Sequence, residues 1–134
     1  TDAAGMKILV VEDNEINMEI AEFYLTEAGA KTEKAWNGAE AVQKFAESET
    51  GSFDVILMDV MMPVMDGLEA TRRIRALEHP DAGTVTILAM TAQSSADSIH
   101  QCEQAGMNGY IAKPVEAAEL IKILSEKCPK GCKR

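Results

Sequence analysis

Val55-Ile56-Leu57-Met58-Asp59 is the stretch on which the fold turns. Four apolar residues in a row, without polar alternation, fit a strand buried on both faces, as in a parallel sheet covered by helices. The run then stops at a carboxylate. Three other runs behave alike: Ile8-Leu9-Val10-Val11 stops at Glu12-Asp13, Val85-Thr86-Ile87-Leu88-Ala89-Met90 at Thr91, and Tyr110-Ile111-Ala112 at Lys113. In open parallel sheets ligands bind beyond the carboxyl ends of the strands. The runs are therefore scaffold, and the residues ending them are candidates for chemistry.

Helical patterns fill the gaps. Ile16, Ile20, Phe23 and Ala28 are expected on the inward face of a first helix, which Gly29 ends with a left-handed cap. Lys31 to Trp36 is a strand of mixed polarity, suited to a sheet edge. Asn37-Gly38 is a turn signal, and Ala41, Val42, Phe45 and Ala46 line a second helix. Asp66-Gly67-Leu68-Glu69 predicts a capping box opening a third helix, with Ala70, Ile74 and Leu77 inward. His79 to Gly83 reads as a loop. A fourth helix spans Ala96 to Ala105 and ends at Gly106. Ala117, Leu120, Ile121 and Leu124 mark a fifth. Five alternating strand–helix pairs predict an α/β, doubly wound parallel sheet, (βα)5 and flavodoxin-like, with strand order 2-1-3-4-5. Strands 1 and 3 are then neighbours at the topological switch point, where Glu12, Asp13 and Asp59 meet.

The 134 residues suit one domain, and thirteen basic against twenty-two acidic residues give a net charge of −9. That excess of acid speaks against a nucleic-acid surface. No apolar stretch is long enough to span a membrane, and no signal peptide is visible at Thr1 to Gly5. Three cysteines, Cys102, Cys128 and Cys132, lack the spacing of a disulfide framework or zinc site. Cys102 is expected half-buried on a helix, the others in a basic tail, and the compartment cytoplasmic. The first residue is not Met, so the chain is expected to be processed or part of something longer. The expected division is a tail at 1–5, a domain at 6–127 and a tail at 128–134.

Three carboxylates in one crevice repel, at on the order of 4 kcal/mol per pair 4 Å apart in an effective dielectric near 20. Protonating one, or binding a hard divalent cation such as Mg²⁺, relieves the conflict. Lys113 adds positive charge. A cation, a lysine and a spare carboxylate suit phosphoryl transfer, which depends mainly on positioning and charge neutralisation. Asp59, held by its strand, is the candidate nucleophile for an aspartyl phosphate. Glu12 and Asp13 suit the metal, and Thr91 offers a hydroxyl to a phosphoryl oxygen. A cis Lys113–Pro114 bond would re-aim the lysine.

Val10-Val11-Glu12-Asp13-Asn14, Met58 through Gly67, Met90-Thr91-Ala92 and Tyr110-Ile111-Ala112-Lys113-Pro114 together resemble the signature blocks of response-regulator receiver domains, from about Met6 to Lys127. Glu12 to Asn17 and Met65 to Arg75 look most like receivers of hybrid sensor histidine kinases. The resemblance implies a Mg²⁺-dependent phosphoacceptor, with Mn²⁺ able to stand in. Asp59 would be phosphorylated. Glu12, Asp13, Asp59 and the Met61 backbone carbonyl would hold the metal, and Lys113 would contact the phosphoryl group. Thr91 and Tyr110 would form the switch that alters the face of helix 4, strand 5 and helix 5. It also implies a histidine kinase or histidine phosphotransfer partner, docking near Asn14 to Ile20, and a domain that catalyses its own phosphorylation and dephosphorylation without being a turnover enzyme; the sequence leaves the oligomeric state open, with a monomer favoured. Asn108-Gly109 departs mildly from a site that often carries acidic residues.

Plainer roles stand beside these. Asp59 alone would be a loop residue, Thr91 a helix cap and Tyr110 a strand aromatic. Arg72, Arg73 and Arg75 read as a solvated helix face, and Trp36 as packing near the end of strand 2. The methionine sulfurs, His79 and His100 are not expected to bind metal. A Mg²⁺-dependent aspartyl-phosphate phosphatase is one alternative, but Met61 stands where haloacid-dehalogenase-type enzymes place a second Asp. A docking module that is never phosphorylated is another. Dinucleotide and P-loop binding fail, because Asp13-Asn14-Glu15 rather than a glycine-rich turn follows the first strand.

Overall fold

A computed structural model describes residues 5–62, 64–92 and 95–127. Residues 1–4 of the expected tail at 1–5, and the expected tail at 128–134 with Cys128 and Cys132, lie outside the described residues. The chain alternates β1 (Lys7–Val11), α1 (Glu15–Glu27), β2 (Lys31–Ala35), α2 (Gly38–Glu47), β3 (Val55–Asp59), α3 (Gly67–Arg75), β4 (Thr86–Thr91), α4 (Ala96–Ala105), β5 (Gly109–Ala112) and α5 (Ala117–Lys127). The five strands are parallel in the order β2-β1-β3-β4-β5. This is the doubly wound order expected from the sequence.

The period-two alternation of strand side chains divides the core between the faces of the sheet. Ile8, Val10, Leu57 and Met90 meet Met18 and Leu25 of α1 and Leu120 and Leu124 of α5. Leu9, Val11, Ile56 and Ile87 meet Phe45 of α2, Ile74 of α3 and Cys102 of α4. β3 is buried along its whole length, whereas edge strand β2 buries fully only Ala35. Cys102 is fully buried rather than half-buried. No helix among the described residues is long and apolar enough to cross a membrane.

The helix ends follow their capping chemistry. Asn14, Asn37, Asp66 and Ser95 each accept a backbone N–H from three residues on. Gly106 takes the left-handed conformation that ends α4. Asp66 forms its half of the capping box, but the Glu69 carboxylate turns to Arg72 and Arg73.

Two expectations are corrected. On α1, Ile16, Ile20 and Phe23 are 67%, 40% and 60% exposed; of the expected set only Ala28 is buried, and Met18, Ala21 and Leu25 join it against the sheet. Two apolar stripes share this helix, and the one containing small Ala21 and Ala28 permits the closer approach to the sheet. Arg75 is likewise no solvated residue. Its guanidinium donates to the carbonyls of Gly106, Ala82 and Val85 and to Asn108 Oδ1, at 2.8–3.1 Å. Asn108 Oδ1 also accepts the Ile87 N–H. Burial holds the Arg75 pKa below its ordinary value. Arg72 and Arg73 do lie on the exposed face.

Arg75→Met is expected to lower unfolding stability by about 2–4 kcal/mol, because several carbonyls lose a charged donor. Arg73→Met should change it little. Equal urea midpoints for the two variants would show that the Arg75 contacts carry no weight.

Candidate active site

β1 and β3 are adjacent with Val11 opposite Met58, so the next residues, Glu12 and Asp59, emerge side by side. The Glu12 N–H donates to the Ala35 carbonyl at 3.1 Å, and the Val60 N–H to the Met90 carbonyl at 3.1 Å. The sheet thus fixes both backbones just where the strands end. Glu12 and Asp59 are 1% and 3% exposed, while Asp13 faces solvent. One carboxylate oxygen from each of Glu12, Asp13 and Asp59 lies within 4.8 Å of the others.

Lys113 bridges the two buried acids. Its Nζ is 3.0 Å from Glu12 Oε1 and 3.1 Å from Asp59 Oδ2. The remaining oxygens accept backbone N–H groups, Glu12 Oε2 from Asn14 at 3.2 Å and Asp59 Oδ1 from Met61 at 3.3 Å. The Lys113–Pro114 peptide is cis, as the sequence had suggested it could be, and the Lys113 N–H donates to the Thr91 carbonyl at 2.9 Å. The Thr91 backbone therefore anchors the lysine, with the residue itself buried at the end of β4. Tyr110 is 39% exposed on edge strand β5, outside the acidic cluster. Met61 is 77% exposed in the loop after β3.

Burial first, and the Glu12 charge second, push the Asp59 pKa up to about 7 against the opposing pull of Lys113. For Lys113, burial alone would lower the pKa, but hydrogen bonds and charge from Glu12 and Asp59 outweigh it and raise it. Fully ionised, the cluster carries three negative charges against one positive. A convergent, oxygen-only donor set with excess negative charge fits a hard divalent cation.

Sequence reasoning placed the charged residues but missed the backbone that backs them. A Cβ on Gly67 would collide with the Asp59 carbonyl oxygen and crowd Met58 Cγ at 2.9 Å. The Gly67 N–H donates to the Val60 carbonyl at 2.9 Å, closing the loop on β3. Gly38 faces the Met65 carbonyl in the same intimate way. The only available signal was a glycine directly after each cap residue. Beside the site, Asn17, Ile20, Lys113, Pro114 and Val115 help line a pocket of about 290 Å³.

In metal-free protein, folding pushes the Asp59 carboxyl from its ordinary 3.8 up to about 7. Between these values the native state holds more protons, so stability falls as pH rises, and the full penalty is present above about 7. The raised Lys113 pKa acts in the alkaline range, where its contribution is lost as pH climbs through the folded value. Asp59→Asn should therefore remove the decline between pH 4 and 7 and stabilise the metal-free protein at pH 8, by about 1–2 kcal/mol once solvent screening of the partly open site is counted. Parallel stability curves for the two proteins would contradict this.

A family model for the response regulator receiver domain matches residues 8–125. The osmosensing histidine protein kinase SLN1 of Saccharomyces cerevisiae is 41% identical over 128 residues, covering 92% of this chain and 10% of that protein. The chain spans only 6% to 15% of the length of the curated relatives it matches. Among solved structures, the receiver domain of sensor histidine kinase PA1611 from Pseudomonas aeruginosa PAO1, with a magnesium ion coordinated in its active-site cleft, is 40% identical. It superposes with a TM-score of 0.82, covering 93% of this chain and 98% of that one. The receiver domain of Saccharomyces cerevisiae Ssk1, solved with the histidine phosphotransfer protein Ypd1, is 31% identical with a TM-score of 0.84, covering 95% and 91%. With its strand order, its acidic cluster and its matched length in agreement, the chain belongs to the response regulator receiver domain family.

Proposed function

We propose that Asp59 accepts a phosphoryl group from a phosphohistidine on a histidine kinase or histidine phosphotransfer protein, within a two-component phosphorelay. The observation that carries this reading is the meeting of Glu12, Asp13 and Asp59 with Lys113 reaching both buried acids. An Asp59 carboxylate oxygen forms a bond to phosphorus as the phosphorus–nitrogen bond breaks. The bonding pair leaves on the imidazole nitrogen, which takes up a proton. Lys113 stands where its ammonium can pass from the carboxylate to a phosphoryl oxygen. Glu12, Asp13, Asp59 and the Met61 carbonyl would hold Mg²⁺, with Mn²⁺ as a substitute. Bound there, the ion supplies neutralisation of phosphoryl charge. The magnesium ion of the PA1611 receiver supports this choice.

Thr91 then donates its hydroxyl to a phosphoryl oxygen and Tyr110 turns inward, which changes the face formed by α4, β5 and α5. Phosphorylation supplies the charge and acceptor oxygens that bias this two-state element. For the donor, the exposed stripe of Ile16, Ile20 and Phe23 and the adjoining pocket give an apolar docking surface beside Asp59. The Ypd1 complex of the Ssk1 receiver supports a histidine phosphotransfer partner. The folding unit is residues 6–127, and the histidine kinases among the relatives support its being one part of a longer kinase.

Incubation with acetyl phosphate and Mg²⁺ should add one phosphoryl group to the intact mass. Excess chelator or Asp59→Asn should reduce the labelling at least tenfold. An unlabelled wild type, or equal labelling of Asp59→Asn, would exclude the phosphoacceptor reading. Ile16→Glu with Ile20→Glu should slow transfer from a phosphorylated histidine phosphotransfer protein at least tenfold while leaving acetyl phosphate labelling unchanged. If both donors slow alike, the stripe is no docking surface.

A further inference from the structure

The sheet has two edges of different character. Edge strand β2 carries Lys31, Thr32, Glu33 and Lys34, with Glu33 in contact with Lys7 and Lys44 and Lys34 in contact with Glu22. Mixed charge of this kind discourages further strand addition. Edge strand β5 carries Gly109, Tyr110, Ile111 and Ala112, without a charge. α4 and α5 flank it but leave a groove of about 450 Å³ along its outer side, lined by Tyr110, Ile111 and Ile123 among others.

The charge that the described residues bring to this groove has one sign. Glu119, Ile123 and Glu126 recur at helical spacing on α5, and Glu103 of α4 lies across from them. All three glutamates are exposed, and among the described residues none has an ion-pair partner. Among the described residues, no basic side chain lines the groove.

We propose that this groove binds an extended, lysine- or arginine-bearing segment of a partner protein, laid along the outer edge of β5. An added strand would use the free edge for backbone hydrogen bonds and alternate its side chains between the two flanking helices. Basic side chains would meet Glu119 and Glu126 on one flank and Glu103 on the other, with an apolar residue over Tyr110 and Ile123. Acidic segments are rejected by the same three charges, so the arrangement selects its partner by repulsion as well as attraction. Because β5 has only four residues, few backbone bonds are available and binding depends on charge.

This groove lies on the face proposed to change when Asp59 is phosphorylated. Its occupancy is tested without a phosphodonor, so either idea can fail alone. The probe is a fluorescent peptide of about eight residues, the span of an ordinary strand, alternating lysine and valine. It is titrated against the full chain by anisotropy and mapped by amide chemical shifts. Expected are shifts over Gly109–Ala112 and α5, weakening by added salt, and at least tenfold weaker binding to Glu119→Gln/Glu126→Gln. Glu49→Gln, on a distant loop, should bind as wild type does, and a glutamate–valine peptide should not bind. Absent binding, undiminished binding to the double variant, or shifts centred on Glu12 and Asp13 would overturn the proposal. So would tenfold tighter binding to Lys130→Gln/Lys133→Gln/Arg134→Gln, which would make the chain's own basic residues the occupant.

Discussion

The contact on which the rest depends is the lysine ammonium held between two buried acids. Glu12 and Asp59 would oppose folding if left alone together, since each loses its water and faces a like charge. Lys113 reaches both at close to 3 Å and makes the arrangement tolerable without making it neutral. The residual conflict is visible in the raised Asp59 pKa. A site in this condition favours whatever cation or phosphoryl group relieves it, so the same imbalance that costs stability supplies the driving force for binding.

The fold exists, in this sense, to hold three strand ends in register. β1 and β3 must be neighbours for the acids to meet, and that adjacency follows from a chain that winds first one way and then the other from β1. β4 delivers Thr91, whose carbonyl secures the Lys113 backbone from beside β5. Glu12, Asp59 and Thr91 sit at the ends of strands buried along most of their length, so their backbones have little freedom of their own. Two glycines complete the frame, as Gly67 lets α3 begin directly behind Asp59 and Gly38 lets α2 rest against the Met65 carbonyl.

Legibility differed with the kind of information needed. The apolar runs and the polar β2 could be read directly, because a strand buried on two faces tolerates no alternation and an edge strand does. Glu12, Asp13, Asp59 and Lys113 could be placed once the strand order was known, since each ends a run. The inward face of α1 could not, because its two apolar stripes differ in side-chain size rather than in hydrophobicity. Arg75 was misread for a related reason: its carbonyl partners come from Ala82, Val85 and Gly106, and a backbone acceptor leaves no mark on sequence. Asn108, which looked like a mild variation, accepts both Arg75 and the Ile87 N–H. The crowding behind Gly67 is a matter of tertiary distance and could only be seen in three dimensions.

The Arg75 guanidinium also gives α4 a mechanical character. It grips the carbonyl of Gly106, where α4 ends, and ties that point to α3 and to the segment leading into β4. At the opposite end of α4, Ser95 caps the helix through the Ser98 N–H. One side chain, Arg75, therefore fixes where α4 stops and β5 begins, so the register of the edge strand is set from α3, a helix that does not adjoin that strand in sequence.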